Sequence, residues 1–316
     1  MNYQEFEVKL LEELRKMNEN NVVIRPVLKN NGIKRNAVNI LKTDEICTPN
    51  VYVDSVYRFF CEFHLTIRQA AEYVVHVYER MADEIRNGCD MNESLTDYGH
   101  IRDRLTIRMV NREQNRILLE REVVSIPFLD LAGIFCIVDS LEQMNMEMKV
   151  TKGLMKVWGT GIEELRETAL RNLALRGGFQ LRDIREIIAE AGSREFPQEE
   201  AEREAYMYVL TDGSMRNGPA VMFLPELLRG FAEFLGDDLL LLPSSIHELI
   251  VLRASGADPG ELKRIVREIN EAVVDPEEIL GDHIYQYSRG QSEVTVAAEG
   301  ENAGNAGGHQ AGYSER

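Results

Sequence analysis

The sequence lacks the long apolar runs that mark membrane-spanning helices. No stretch approaches the roughly 18 consecutive apolar residues that a span requires, so we expect no transmembrane segment. The N-terminal stretch MNYQEFEVKLLEELRKMNEN is acidic and amphipathic, and it lacks the basic end, apolar core and small-residue cleavage site of a secretory signal. Together these absences predict a cytoplasmic protein.

Basic residues are scarce relative to acidic ones. The chain has 36 Lys and Arg residues against 53 Asp and Glu residues, which gives a formal charge of -17 at pH 7. Nucleic-acid affinity depends largely on basic side chains that neutralise phosphates and release counterions. Since no run of Lys and Arg offsets the acidic surplus, we expect no nucleic-acid partner.

Cysteine is rare, and glycine-rich phosphate loops are absent. Cys47, Cys61, Cys89 and Cys136 form no C-x-x-C pair, and 316 residues are far too many for a disulfide-stapled miniprotein, so we expect reduced thiols. Cys61 and His64 share one C-x-x-H spacing, but a zinc site needs more ligands than this pair supplies. No glycine pair has P-loop or dinucleotide spacing. The sequence therefore predicts no metal, no cofactor and no nucleotide site.

Helix and strand patterns alternate in the first part of the chain. A helix is predicted over residues 3–17, followed by strands over 22–30 and 36–42 around the turn signal Asn30-Asn31-Gly32. Pro26 inside the first strand indicates an edge strand or a bulge. The run at 51–63 predicts a short helix.

Two further segments complete this part. Thr66 and Gln69 have the spacing of a capping box and predict the start of a long helix. Residues 98–120 carry apolar side chains at helical spacing and predict another helix. The run IPFLDLAGIFCIV at 126–138 is interpreted as one strand, with a buried helix as the alternative, because a continuous apolar run does not fix the period.

The C-terminal part is the easiest to interpret. Strands are predicted over AYMYVLT and PAVMFL around Arg216-Asn217-Gly218, then a helix from Pro225, strands over LLLL and HELIVLR, a helix from Asp258 and a strand over HIYQYS. We therefore predict an α+β fold in four segments. These are a mixed helical and hairpin part at 1–140, a helical middle with a charged linker at 141–203, a β-β-α-β-β-α-β module at 204–289, and a disordered tail at 290–316.

Several segments occur in a familiar order. They are MNYQEF, NVYVDSVYRFF, RMVNREQN, PFLDLAGIF, YVLTDGSMRNGPAVMFLPELL, LPSSIHELIVL and GDHIYQYSR. Together they resemble an uncharacterised domain-of-unknown-function family that is common in gut Firmicutes and often seen near mobile elements. The likeness covers roughly residues 1–289. It implies a bacterial protein and carries no activity, cofactor or catalytic residue to this chain.

The stretch LLLLPSSIHELIVL at 239–252 places serine, histidine and a carboxylate within five residues. The structural interpretation is a corner between two strands. Pro243 ends the first strand because it cannot donate a ladder hydrogen bond, and the serine hydroxyls satisfy backbone groups of the turn. His247 then forms hydrogen bonds near the end of the sheet.

The catalytic alternative is a hydrolase or a metal-dependent enzyme. A serine of the corner would be the nucleophile, a histidine its base and a carboxylate the group that orients the imidazole. Two features oppose this alternative: neighbouring side chains of a strand point to opposite faces, and no G-x-S-x-G elbow is present. The candidate residues are Ser244, Ser245, His247, Glu248, Asp282 and His283.

Two other polar residues lie beside apolar runs. Asp130 in PFLDLAG and Asn111 in VNREQN are interpreted as cap or turn formers. With no complete catalytic motif, the leading function hypothesis is a non-catalytic binding or interaction protein whose partner, a protein being one option, the sequence does not identify. The competing hypothesis is the enzyme that uses His247, Glu248, Asp282 and His283.

Overall fold

The computed structural model describes residues 1–17, 21–41, 49–88, 95–140, 145–190, 207–243 and 245–298. Helices and antiparallel sheets are both present, which confirms the α+β class. The linker predicted at 193–203 lies outside the described residues, and so do residues 299–316 of the predicted tail. The division into four segments stays a prediction.

A three-stranded antiparallel sheet and three helices form the N-terminal part. The elements are α1 (Tyr3–Met17), β1 (Val22–Leu28), β2 (Lys34–Ile40), β3 (Val51–Tyr52), α2 (Val53–Glu62) and α3 (Ile67–Gly88). The hairpin is confirmed, and Pro26 lies on the edge strand β1 as predicted. The capping box is also confirmed, because Gln69 N–H donates to Thr66 Oγ1 at 3.3 Å and Thr66 N–H donates to Gln69 Oε1 at 2.9 Å.

The middle of the chain forms a second antiparallel sheet. Its elements are α4 (Tyr98–Ile101), a 3-10 helix (Arg102–Arg104), β4 (Leu105–Asn111), α5 (Arg116–Arg121), β5 (Ser125–Phe128), β6 (Leu131–Ser140), β7 (Asn145–Lys149), α6 (Lys152–Trp158) and α7 (Ile162–Arg176). Strand β6 pairs with β4, β5 and β7. The segment after residue 140, for which only helices are predicted, thus begins with a strand.

The helix predicted over residues 98–120 is wrong, because most of its apolar residues belong to β4. Leu105, Ile107 and Met109 alternate with less buried neighbours, as expected for a strand. A spacing of four between Leu105 and Met109 fits both a helix turn and two strand repeats, so it does not distinguish the two periods.

The single strand predicted over residues 126–138 is a hairpin. Strand β5 ends at Phe128, β6 begins at Leu131, and these two residues are paired. Leu129 takes a left-handed φ of 52°, which allows Leu129-Asp130 to form the two-residue connection. Asp130 therefore lies at the tip of a turn, as predicted for this residue, and not inside the strand predicted over 126–138.

The C-terminal part is built on a six-stranded antiparallel sheet in the order β13-β12-β10-β11-β9-β8. Its elements are β8 (Gln180–Asp183), α8 (Ile184–Glu190), β9 (Met207–Thr211), a 3-10 helix (Gly218–Phe223), α9 (Pro225–Leu235), β10 (Leu239–Leu242), β11 (Leu249–Arg253), α10 (Pro259–Ala272), β12 (Tyr285–Ser288) and β13 (Glu293–Val296). Strand β8 comes from the segment predicted to be helical and pairs with β9.

Two predictions for the C-terminal part are wrong. The run PAVMFL forms a 3-10 helix instead of a strand, and residues 218–222 are all buried, so no alternation of exposure marks a period. Residues 293–296, predicted to be disordered, form strand β13 against β12. Val294 and Ala297 are buried there, and they supply the apolar anchor that composition alone does not reveal.

The Asn30–Gly32 turn joins the N-terminal hairpin to the rest of the molecule. Asn31 exchanges hydrogen bonds with Asn115, and its Nδ2 donates to the carbonyl oxygens of Pro276 and Ile279 at 2.8 and 2.7 Å. Beside the turn, Arg35 forms ion pairs with carboxylates that include Asp54 at 2.6 Å. None of the described helices is long and apolar enough to cross a membrane.

Candidate functional site

The Pro-Ser corner, residues 243–248, connects two paired strands as predicted. Strands β10 and β11 lie side by side and antiparallel. Ser245 is buried, and its Oγ accepts hydrogen bonds from the N–H groups of His247 at 3.1 Å and Glu248 at 3.3 Å. This hydroxyl is therefore used as a backbone acceptor in the turn. Ser244 lies outside the described residues.

His247 and Glu248 lie before β11 begins at Leu249, and neither belongs to a strand. Strand geometry therefore does not separate their side chains, contrary to the prediction. Nε2 of His247 lies 3.2 Å from Oε1 of Glu278, while the Glu248 side chain is exposed and makes no hydrogen bond or ion pair with the described residues.

The backbone of His247 is held by the last residue of β9 and by the segment that follows this strand. Its carbonyl oxygen accepts the N–H of Gly218 at 2.8 Å and the hydroxyl of Thr211 at 3.5 Å. A Cβ on Gly218 would lie 2.3 Å from the Leu210 carbonyl oxygen and 3.0 Å from Glu248 Cα. Only glycine allows the chain to approach the corner this closely.

Asp282 forms an ion pair with Arg267 of helix α10. Its Oδ2 accepts hydrogen bonds from Arg267 Nε at 2.9 Å and Nη2 at 2.7 Å. Burial raises the pKa of Asp282, but the hydrogen bonds and the positive charge of Arg267 outweigh burial and leave that pKa below its ordinary value. A carboxylate engaged in this way is a stabilising surface group.

His283 contacts Asp130 and not the corner residues. Its Nδ1 lies 2.8 Å from Asp130 Oδ2, and the other carboxylate oxygen accepts the Tyr285 hydroxyl at 2.6 Å. The pKa of Tyr285 is raised by its burial and by the neighbouring Asp130 carboxylate. Asp130, at the β5–β6 turn, thus connects the middle sheet to the start of β12.

Three of the candidate residues, His247, Asp282 and His283, take part in separate contacts. His247 pairs with Glu278, Asp282 with Arg267, and His283 with Asp130. Within the described part of the chain, no three His, Cys, Asp or Glu side chains come together in a group that could hold a metal ion. The partners Asp130 and Glu278 are distant in sequence from the histidines they contact, so sequence spacing gives no signal for these pairs.

A cleft of about 690 Å³ lies elsewhere, where the middle sheet meets the C-terminal part. It is lined by the start of β4, by Val138 and Glu147 on β6 and β7, by the end of α7 and by the loop after β9. We call it the arginine cleft. Its charged lining residues are Asp103, Arg104, Arg108, Glu147, Arg176, Asp212 and Arg216.

The end of α7 is fixed to the start of β4 beside the cleft. Nδ2 of Asn172 donates to the carbonyl oxygens of Arg102 at 2.7 Å and Leu105 at 2.9 Å. Arg176 donates from Nη1 to the Asp103 carbonyl oxygen at 2.6 Å. Because of these contacts, one side of the cleft is formed by a helix and a strand that are fixed to each other. Such elements hold side chains more rigidly than loops do.

Arg108 joins the sheet to the loop after β9. It forms an ion pair with Glu147, and its Nη1 donates to the Arg216 carbonyl oxygen at 2.6 Å. The buried Cys136 thiol donates to Glu147 Oε1 at 3.5 Å. Burial and the Glu147 charge raise the pKa of Cys136, so this thiol stays protonated and unreactive at neutral pH.

The loop after β9 is closed by Asp212. Its Oδ1 accepts the N–H groups of Arg216 at 2.9 Å and Asn217 at 3.1 Å, and the Ser214 hydroxyl also donates to this carboxylate. The loop is therefore held in one shape, and Gly213 N–H attaches it to Gly177 at 2.7 Å. The turn predicted at Arg216-Asn217-Gly218 lies in this loop, but no role was predicted for the charged residues of the loop.

Asn217 is a buried polar residue of the cleft lining, with 4% of its surface exposed. Its Nδ2 donates to the Ile107 carbonyl oxygen at 2.9 Å, which fixes the orientation of the amide. Its Oδ1 has no hydrogen-bond partner among the described residues. A buried acceptor without a partner is costly unless water or a ligand supplies a donor.

Comparison with known proteins identifies one family. The model of DUF5688, described as a family of unknown function, matches residues 3–289. No curated protein and no solved structure matches the chain. The resemblance noted from the sequence is therefore confirmed, and it carries no established activity. Since the match covers most of the sequence, this chain belongs to DUF5688.

Proposed function

We propose that this protein is a non-catalytic binding protein and that the arginine cleft is its ligand site. The observation that carries the proposal is a cleft of about 690 Å³ in which Asn217 Oδ1 and the Arg216 side chain have no partner among the described residues. Ligand sites are concave, largely pre-formed and supplied with a few polar groups that fix orientation. A volume of this size suits a small molecule or one side chain of a protein partner.

A cytoplasmic location is part of the proposal. Cys61 is an exposed free thiol and Cys136 a buried one. Unpaired thiols persist in a reducing compartment, whereas oxidising compartments favour disulfides.

A bulky side chain introduced into the arginine cleft tests whether the cleft binds a ligand. Val138 lines the cleft and is 37% exposed, so Val138→Trp introduces bulk where a ligand would lie. Val157 on α6 is 61% exposed and does not line the cleft, which makes Val157→Trp the matched control. We expect a small-metabolite library, screened by thermal shift and confirmed by calorimetry, to give ligands that bind the wild type and Val157→Trp but not Val138→Trp. The proposal is wrong if no compound binds, or if Val138→Trp binds as well as the control.

An enzyme that uses His283 is the second candidate, and the Asp130–His283 contact favours it. A carboxylate that accepts from Nδ1–H leaves Nε2 as the basic nitrogen, as in hydrolases. His283 is 41% exposed, yet neither it nor His247 lines the arginine cleft. Hydrolysis of activated esters or phosphoesters by the wild type, lost in His283→Gln and unchanged in Val138→Trp, would favour this candidate over the binding protein.

A further inference from the structure

We infer that the ligand of the arginine cleft is a small anion that bears a carboxylate or phosphate group, with Arg216 as its principal contact. This inference rests on the proposed function, because it names the chemical class of the ligand for the same site. It follows from the charges of the lining and from the hydrogen bonds that each charged group already makes.

The charge of the cleft opposes that of the whole molecule. Four arginines and three acidic residues line it, a formal surplus of one positive charge in a chain whose net charge is -17. Charges of one sign in a concave site concentrate the field there and attract ligands of the opposite sign. The acidic remainder of the surface would repel an anion, so the cleft is the favoured place for one.

Two of the three acidic groups are already occupied. Glu147 is paired with Arg108, and Asp212 accepts two backbone N–H groups and the Ser214 hydroxyl. The third, Asp103, is exposed, and its side chain makes no hydrogen bond or ion pair with the described residues. The Arg108–Glu147 pair cancels one charge of each sign, which leaves Arg104, Arg176 and Arg216 against Asp103 and Asp212, so the surplus of one positive charge remains.

Arg216 is held through its backbone while its side chain stays available. Its N–H is bonded to Asp212 and its carbonyl oxygen to Arg108. The guanidinium group makes no hydrogen bond or ion pair with any described residue. Across the cleft lining, Arg176 uses Nη1 for the Asp103 carbonyl oxygen. A planar guanidinium binds carboxylate and phosphate through two parallel hydrogen bonds, which makes this chemistry a better match than a neutral or cationic ligand.

Asn217 adds a second requirement for the chemistry of the ligand. Its partnerless Oδ1 would accept a hydrogen bond, so a ligand that carries a hydroxyl or amine beside its anionic group satisfies both features of the lining. Hydroxy acids and phosphorylated polyols have this combination.

Calorimetric titration of the full-length protein with citrate, and separately with inorganic phosphate, tests the inference. We expect saturable binding of at least one anion, weaker at high salt, and a loss of affinity of about tenfold or more in Arg216→Gln, because a charge-assisted hydrogen bond is removed. Arg229→Gln is the matched control, since Arg229 is half exposed and does not line the cleft. A preference for citrate assigns a carboxylate ligand, and a preference for phosphate assigns a phosphorylated one.

The outcomes separate the inference from the proposed function. The inference is overturned if neither anion binds the wild type, or if Arg216→Gln binds it as tightly as Arg229→Gln does. If a neutral or cationic metabolite binds instead and Val138→Trp abolishes that binding, the cleft remains the ligand site and only the anion assignment falls. If no compound binds in either experiment, both are wrong.

Discussion

The Pro-Ser corner and the arginine cleft are both rich in polar residues, but they use them differently. In the corner, the Ser245 hydroxyl and the His247 carbonyl oxygen bond to backbone N–H groups, and the His247 ring contacts Glu278. In the cleft, Arg216 and Asn217 keep donors and an acceptor without partners among the described residues. Nδ1 of His247 is the corner's exception, because it is also buried and without such a partner. Polar groups that form hydrogen bonds within the protein indicate a structural role. Polar groups that are held in place but have no hydrogen-bond partner indicate a binding role.

The two regions are joined at Gly218. This residue follows the cleft loop in the chain and donates its N–H to the corner at His247. Since Gly218 contacts both regions, a substitution at this residue should disturb both of them.

The largest expected effect is therefore that of Gly218→Ala. The added Cβ would meet the Leu210 carbonyl oxygen at 2.3 Å, so we expect the free energy of unfolding to fall by about 2 to 4 kcal/mol. Gly230→Ala is the matched control, because nothing lies within 4 Å of that Cβ in α9, and the better helix former should stabilise by about 0.5 to 1 kcal/mol. Urea denaturation measures both. If Gly218→Ala changed the free energy of unfolding as little as Gly230→Ala does, the close approach at Gly218 would not require glycine.

A smaller effect is expected at the Asp130–His283 contact. Tyr285→Phe removes a buried hydroxyl that donates to Asp130 at 2.6 Å, and loss of a hydrogen bond to a charged group should cost about 1 to 3 kcal/mol. In Tyr287→Phe the deleted hydroxyl has no hydrogen-bond partner among the described residues, so we expect a change within about 0.5 kcal/mol, or a slight gain. Thermal and urea unfolding of the two variants measure the difference. Similar losses in both would contradict the role assigned to Asp130.

The smallest expected effect is that of Arg267→Gln. The pKa of Asp282 is below its ordinary value, so its ionisation stabilises the fold above the unfolded pKa of about 4, and this contribution is lost as the pH falls through the lower folded pKa. We expect Arg267→Gln to destabilise the protein at pH 7 by less than about 1 kcal/mol, since Arg267 is largely exposed. The difference from the wild type should shrink below about pH 4 and at high salt, which urea midpoints across pH would show. A loss that is the same at every pH would mean that the ion pair is not its cause.

Local signals in the sequence predicted the corner and much of the fold. The Asn30–Gly32 hairpin, the Thr66–Gln69 capping box and the Pro243 corner each depend on residues close together in the chain, and the structure contains all three. Strand β4 was predicted as a helix because Leu105 and Met109 satisfy both periods, and tertiary packing decided between them.

The arginine cleft could not be predicted from signals between residues that are close together in the chain. Arg104, Arg176 and Arg216 come from three distant segments, and only the folded chain brings them to one lining. The same holds for His283 and Asp130, which are 153 residues apart in the sequence. The one local signal was the turn predicted at Arg216-Asn217-Gly218, and no role was predicted for the charged residues beside it.

The central claim is that the cleft binds a ligand while the Pro-Ser corner serves the fold. Hydrogen-exchange mass spectrometry, with and without the tightest ligand of the metabolite screen, tests it most directly. The account predicts slower exchange in residues 103–108, 172–177 and 212–217, with residues 245–250 and 279–285 unchanged. Protection confined to those last two segments would contradict it and would place the binding site at the histidines.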